Sequence, residues 1–96
     1  MQVTRNQEQI SLIISLPWEV DSVRIIGKPK FLKVHEILKG TGRFLEIICE
    51  DPKYFTAFDA FCDLVVHNVQ DKHLPGVSVF LNALRTWDWD EVRKSA

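Results

Sequence analysis

The chain has 96 residues, 46% of them hydrophobic and 26% charged, with a formal net charge of −1. That length gives one domain, 1–96, able to bury roughly 60–65% of its unfolded surface, and the near-neutral charge excludes a uniformly basic nucleic-acid binder. No apolar run approaches the roughly 20 residues of a membrane span, and the polar start lacks the basic flank of a signal peptide, so a cytoplasmic location is expected.

Residues 1–8 (MQVTRNQE) are polar and are expected to be flexible. From Ile10 to Leu16 the chain alternates, with Ile10, Leu12, Ile14 and Leu16 on one face and Ser11, Ile13 and Ser15 on the other. That is the pattern of a half-buried strand, and Pro17 stops it, because proline cannot donate to a ladder. Ser22–Ile26 is a short β-branched run ended by Gly27, and Lys28-Pro29-Lys30 reads as a turn. Phe31–Leu38 reads as another strand, with Leu32, Val34 and Leu38 on one side and Lys33, His35 and Ile37 on the other. The loop Lys39-Gly40-Thr41-Gly42 is a hairpin signal. Arg43–Cys49 completes the hairpin with Leu45, Ile47 and Cys49 on the buried face, leaving Glu46 outward and Phe44 and Ile48 more exposed or covered elsewhere.

Glu50–Gln70 is the clearest amphipathic helix. Asp51 is an N-cap residue, and Pro52 occupies the first helical position, where its missing N–H costs nothing. Phe55, Phe58, Cys62, Val65, Val66 and Val69 recur at helical steps beside Phe61, while Asp59, Asp63 and Asn68 mark a wetter side. Asp71 to Gly76 is a loop broken by Pro75-Gly76. A second helix is predicted over Val77–Arg93, its stripe formed by Val77, Phe80, Leu81, Leu84, Trp87 and Val92. Strands first and helices last predict an α+β fold: an antiparallel sheet of three to four strands followed by two antiparallel helices packed on one face.

Chemistry-bearing residues are sparse. Between Arg24 and Arg43 stand six bases, Arg24, Lys28, Lys30, Lys33, Lys39 and Arg43, with Glu36 as the acid among them. Such a hairpin is a candidate for phosphate contacts; lysines also guard solvated sheet edges against mispairing. Asp63, His67 and Asp71 share one helix side near His73, but no metal-ligand motif supports a metal site there. Asp51-Pro52-Lys53 fits the spacing of a nuclease D-x-K motif, yet the proline makes it a helix cap. Nucleophile elbows, P-loops and dinucleotide fingerprints are absent, and no cofactor is expected. Cys49 and Cys62 read as buried free thiols. Trp87 and Trp89 would lie about 200° apart on one helix. One is therefore expected in the core and the other exposed, a candidate interface at the end of the chain.

The runs RFLEIICEDPKYFTAFDAFCDLVVHNVQ and GVSVFLNALRTWDWD resemble the N-terminal part of bacterial PD-(D/E)XK, restriction-endonuclease-like proteins. Leu45, Ile47, Asp51, Phe58, Phe61, Cys62, Asp63, Leu64, Leu84 and Trp87 carry the likeness, which covers roughly residues 30–90. It implies kinship with nuclease-like proteins of DNA defence. In those proteins the metal-binding acids and lysine follow this segment, so no catalytic residue transfers here. The resulting expectation is a non-catalytic N-terminal accessory domain that packs on a nuclease module or partner subunit through its C-terminal helix. A small nucleic-acid-binding module using the 24–43 hairpin is one alternative. A homo-oligomeric structural module is the other.

Overall fold

The computed structural model describes residues 1–19, 28–72, 75–87 and 89. The predicted α+β architecture is found. Four strands come first, β1 (Gln2–Arg5), β2 (Ile10–Ser15), β3 (Leu32–Lys39) and β4 (Gly42–Cys49); a short 3-10 turn (Pro52–Tyr54) then leads into α1 (Phe55–Lys72) and α2 (Gly76–Thr86). The sheet is antiparallel with order β1-β2-β4-β3. The predicted run Ser22–Ile26 falls outside the described residues, as does His73.

Alternation divides the sheet into two faces. Ile10, Leu12, Ile14, Leu16, Leu32, Leu45, Ile47 and Cys49 are buried beneath the helices. They meet Phe58, Phe61, Cys62 and Val65 of α1 and Val77, Phe80, Ala83 and Leu84 of α2 in one core. Asp51 caps the short 3-10 turn, its carboxylate accepting from the Lys53 backbone N–H at 3.0 Å, and α1 itself begins at Phe55, five residues after the predicted start at Glu50. Asp51-Pro52-Lys53 is thus a cap. The helix continues to Lys72, two residues beyond the predicted end.

The first eight residues include an edge strand, Gln2–Arg5, paired to β2. Arg5 pins that strand across the layers, forming ion pairs with both Asp59 and Asp63 of α1. Its pKa is raised, chiefly by the hydrogen bond to Asp59. Asn6 shapes the turn, its side-chain oxygen accepting from the Glu8 and Gln9 N–H groups at 2.8 and 2.9 Å; such Asx turns are a favoured use of asparagine.

The second helix ends at Thr86; Trp89 is again helical, and residues 88 and 90–93 of the predicted Val77–Arg93 helix lie outside the described residues. Trp87 takes extended dihedrals (φ −74, ψ 128). The physical reason is aromatic. On a continuing helix two tryptophans two positions apart cannot reach the same surface. With the helix broken at Trp87, both indoles meet Phe61, at ring-centroid distances of 6.0 Å for Trp87 and 5.2 Å for Trp89.

Leu38 lies on the same side of β3 as Leu32 and Val34, as read from the sequence, and is 69% exposed.

Candidate interaction surface

The opposite face of the sheet carries Gln2, Thr4, Ser11, Ile13, Ser15, Lys33, His35, Ile37, Lys39, Phe44, Glu46 and Ile48, as strand alternation requires. No described element packs on it. Its middle rows follow from the register. Ser15, Phe44 and Ile37 lie side by side at the hairpin end; Gln2, Ile13, Glu46 and His35 form the next row; Thr4, Ser11, Ile48 and Lys33 form the third. Ile13, Ile37, Phe44 and Ile48 are each half-buried. Three of them, Ile13, Ile37 and Phe44, line a shallow groove of about 320 Å³ with Gln2 and Lys39.

Glycine shapes that groove. The β3–β4 hairpin closes through a two-residue turn, Gly40-Thr41, with Gly40 at φ 61. A side chain is strained at that dihedral and glycine is not. Gly42, the next residue on the Phe44 face, has a different role. A Cβ there would stand 2.7 Å from Cε2 of Phe44, so the ring lies over the glycine and walls the groove.

The basic residues do not converge. Arg24 lies outside the described residues. Arg43 turns inward: its side chain is 7% exposed and its guanidinium donates to Glu36 at 3.1 and 3.3 Å and to the Pro17 carbonyl at 3.3 Å. The exposed indole of Trp18 stacks near that guanidinium, 5.8 Å from carbon to ring centroid, and donates to the Thr41 carbonyl. This cluster ties the chain leaving β2 to the hairpin tip. Lys28 donates to the Leu32 carbonyl at 2.9 Å, and Lys33 pairs with Glu50 at 3.1 Å. Lys30 and Lys39 are exposed, Lys39 at the rim of the groove.

Trp87 and Trp89 do not form an exposed site. Both are half-buried against the core, at 6.3 Å from each other and in contact with Phe61. Both indole N–H groups are buried, and neither has an acceptor among the described residues. Each such donor forfeits about 1–3 kcal/mol of hydration. Ring packing is what holds them, with Trp89 also set against Phe58 and Phe31. A continuous helix over Val77–Arg93 would put the two indoles about 200° apart, and the break at Trp87 that lets both reach Phe61 has no local sequence signal.

Catalytic groupings are not apparent among the described residues, where no cluster of three or more His, Cys, Asp or Glu is placed to hold a metal ion. His67 and Asp71 are an exposed i, i+4 pair at 2.7 Å. Cys49 and Cys62 are buried free thiols. Burial raises the pKa of both, that of Cys62 to about 12, which is the opposite of an activated nucleophile. Among the described residues no helix is long and apolar enough to cross a membrane. A second cleft, about 350 Å³, lies between α1 and α2; Asn68, Lys72, Ser78, Asn82 and Thr86 make much of its wall. Asn82 already accepts from Arg85 and Thr86.

The strongest surface feature is therefore the groove of Ile13, Ile37 and Phe44 on an otherwise largely polar sheet face; alternation alone placed Ile13, Phe44 and Ile48 on that side of β2 and β4. Its continuity came from the strand order, which no local pattern encodes. Comparison with protein-family models, characterised proteins and solved structures returns no match. Of the residues that carry the resemblance to PD-(D/E)XK proteins, Leu45, Ile47, Phe58, Phe61, Cys62 and Leu84 are core positions.

Proposed function

We propose that this chain is a non-catalytic interaction domain that docks onto a protein partner through the sheet face that no described element covers. The grouping of Ile13, Ile37, Phe44 and Ile48 on that face supports the reading. An antiparallel sheet with one solvated face ordinarily alternates to polar residues there. Contiguous exposed apolar patches mark interaction surfaces, and sheet faces pack well against other sheets or helices. The resemblance to PD-(D/E)XK proteins supplies the class of partner, a nuclease-like module or partner subunit. A second copy of the chain is the form this docking takes if the domain is homo-oligomeric. A phosphate-binding hairpin has less support, since Arg43 is committed to Glu36 and Lys33 to Glu50.

The test is purification of the tagged chain from its source cells, followed by size-exclusion chromatography with light scattering. The wild type is expected to elute as a complex with one partner or with itself. Ile37→Asp, on the solvated side of an edge strand, is expected to fold and to elute as a free monomer. Retention of the complex by Ile37→Asp overturns the reading. In a companion assay with Mg²⁺ or Mn²⁺ the isolated chain is expected to cleave no DNA.

A further inference from the structure

We propose that the segment received by this face is apolar and carries carboxylates, with one large apolar side chain in the Ile13–Ile37–Phe44 groove and a carboxylate against Lys39. This inference rests on the docking reading and adds the chemistry of the partner. Strand alternation sets Lys33, His35, Ile37 and Lys39 along one side of β3, so Ile37 is flanked on its own strand by His35 and Lys39. The outward positions of β1 and β2 are uncharged: Gln2, Thr4, Ser11, Ile13 and Ser15. The carboxylate of the face, Glu46, is 20% exposed and lies 2.8 Å from the His35 imidazole. Lys33 meets Glu50. No ion pair holds Lys39 among the described residues, and its ammonium stands at the rim of the groove.

On the helical side the carboxylates have partners: Asp59 and Asp63 pair with Arg5, and Asp71 pairs with His67. A carboxylate on a segment seated in the groove would meet Lys39 at its rim, and such complementarity sets orientation and partner choice. The groove's size suits one anchor residue. Cavities of roughly 300 Å³ are at the small end of ligand sites, and a single buried apolar anchor with a charged rim is a common interface design. The bare Gly42 keeps the Phe44 ring folded down as the groove wall.

Two labelled heptapeptides serve as probes. In one, leucine and phenylalanine alternate with glutamate; in the other, lysine replaces each glutamate. Binding is read by fluorescence anisotropy and mapped by amide chemical shifts. The glutamate peptide is expected to bind more tightly and to move the signals of Ile13, Ile37 and Phe44. Lys39→Glu, an exposed change that leaves the melting temperature in place, is expected to weaken it about fivefold. Gly42→Ala, which preserves every charge but displaces the Phe44 ring, is expected to weaken both peptides. If the lysine peptide binds as well or better while still moving outer-face signals, the carboxylate inference is overturned and the docking reading survives. If neither peptide moves those signals, both fall.

Discussion

Replacing Phe61 by alanine removes the ring on which the helical layer closes. Phe61 is fully buried. Its ring meets Phe58 at 5.9 Å, Phe80 at 6.0 Å, Trp87 at 6.0 Å and Trp89 at 5.2 Å. A buried Phe→Ala change costs about 3–5 kcal/mol. The four aromatic neighbours place this site toward the upper end, because ring pairs contribute about 0.5–1.5 kcal/mol beyond burial. A domain of this size has a total stability of about 5–14 kcal/mol. A loss of about 4 kcal/mol would lower the melting temperature by about 16–32 °C. The assay is urea unfolding followed by far-ultraviolet circular dichroism and by tryptophan emission. Emission should shift to the red in the folded variant, as Trp87 and Trp89 lose their common support; Trp18, already 62% exposed, adds a constant background. Phe61→Leu should cost less than half as much. A Phe61→Ala loss below about 1.5 kcal/mol, less than complete burial permits, with unchanged emission would refute the aromatic closure.

Three further outcomes are expected. Arg43→Met should cost about 1–3 kcal/mol, because the buried guanidinium holds Glu36 and the Pro17 carbonyl; Glu36→Gln should cost less, since Glu36 is 42% exposed and can turn to water, and the reverse order in chemical denaturation would contradict the cluster as described. Trp89→Phe should be within about 1 kcal/mol of wild type, because the smaller ring keeps the apolar contacts and removes an orphaned donor; a larger loss in the same titration would mean that the indole N–H has a partner. The Cys62 thiol, raised by burial from 9.0 to about 12, binds its proton more tightly in the folded state. Its contribution is therefore full below pH 9 and is lost as pH rises toward 12, with a slope near about 1.4 kcal/mol per pH unit in that window. Comparing the pH dependence of wild type and Cys62→Ala isolates it, and equal slopes would show that the thiol does not titrate with unfolding.

Much of the fold was legible because local patterns agreed with one another. Alternation over Ile10–Leu16 and Arg43–Cys49, the Asp51-Pro52 cap and the Phe-rich helix each identified an element correctly. The misses lie where distant residues decide. Gln2–Arg5 is too short and polar to be read as a strand, and it becomes one through Arg5 reaching Asp59 and Asp63, more than fifty positions away. The early end of α2 depends on Phe61, to which both tryptophans turn. Surface chemistry was legible by residue type and less so by arrangement. Six bases in one stretch suggest a patch, but Arg43 points into the core side to meet Glu36, and Lys33 is paired across to Glu50. The apolar outer face could not be assembled until the order β1-β2-β4-β3 brought Ile13 and Ile37 to either side of Phe44's strand.

The central claim is that the sheet face that no described element covers, rather than the helical face, meets the partner. It is tested most directly by installing a photo-crosslinking residue at Ile37 in one variant and at the exposed Ser78 of α2 in another, in the source cells. The account predicts one discrete adduct from position 37 and none above background from position 78. An adduct from 78 with none from 37 would contradict it.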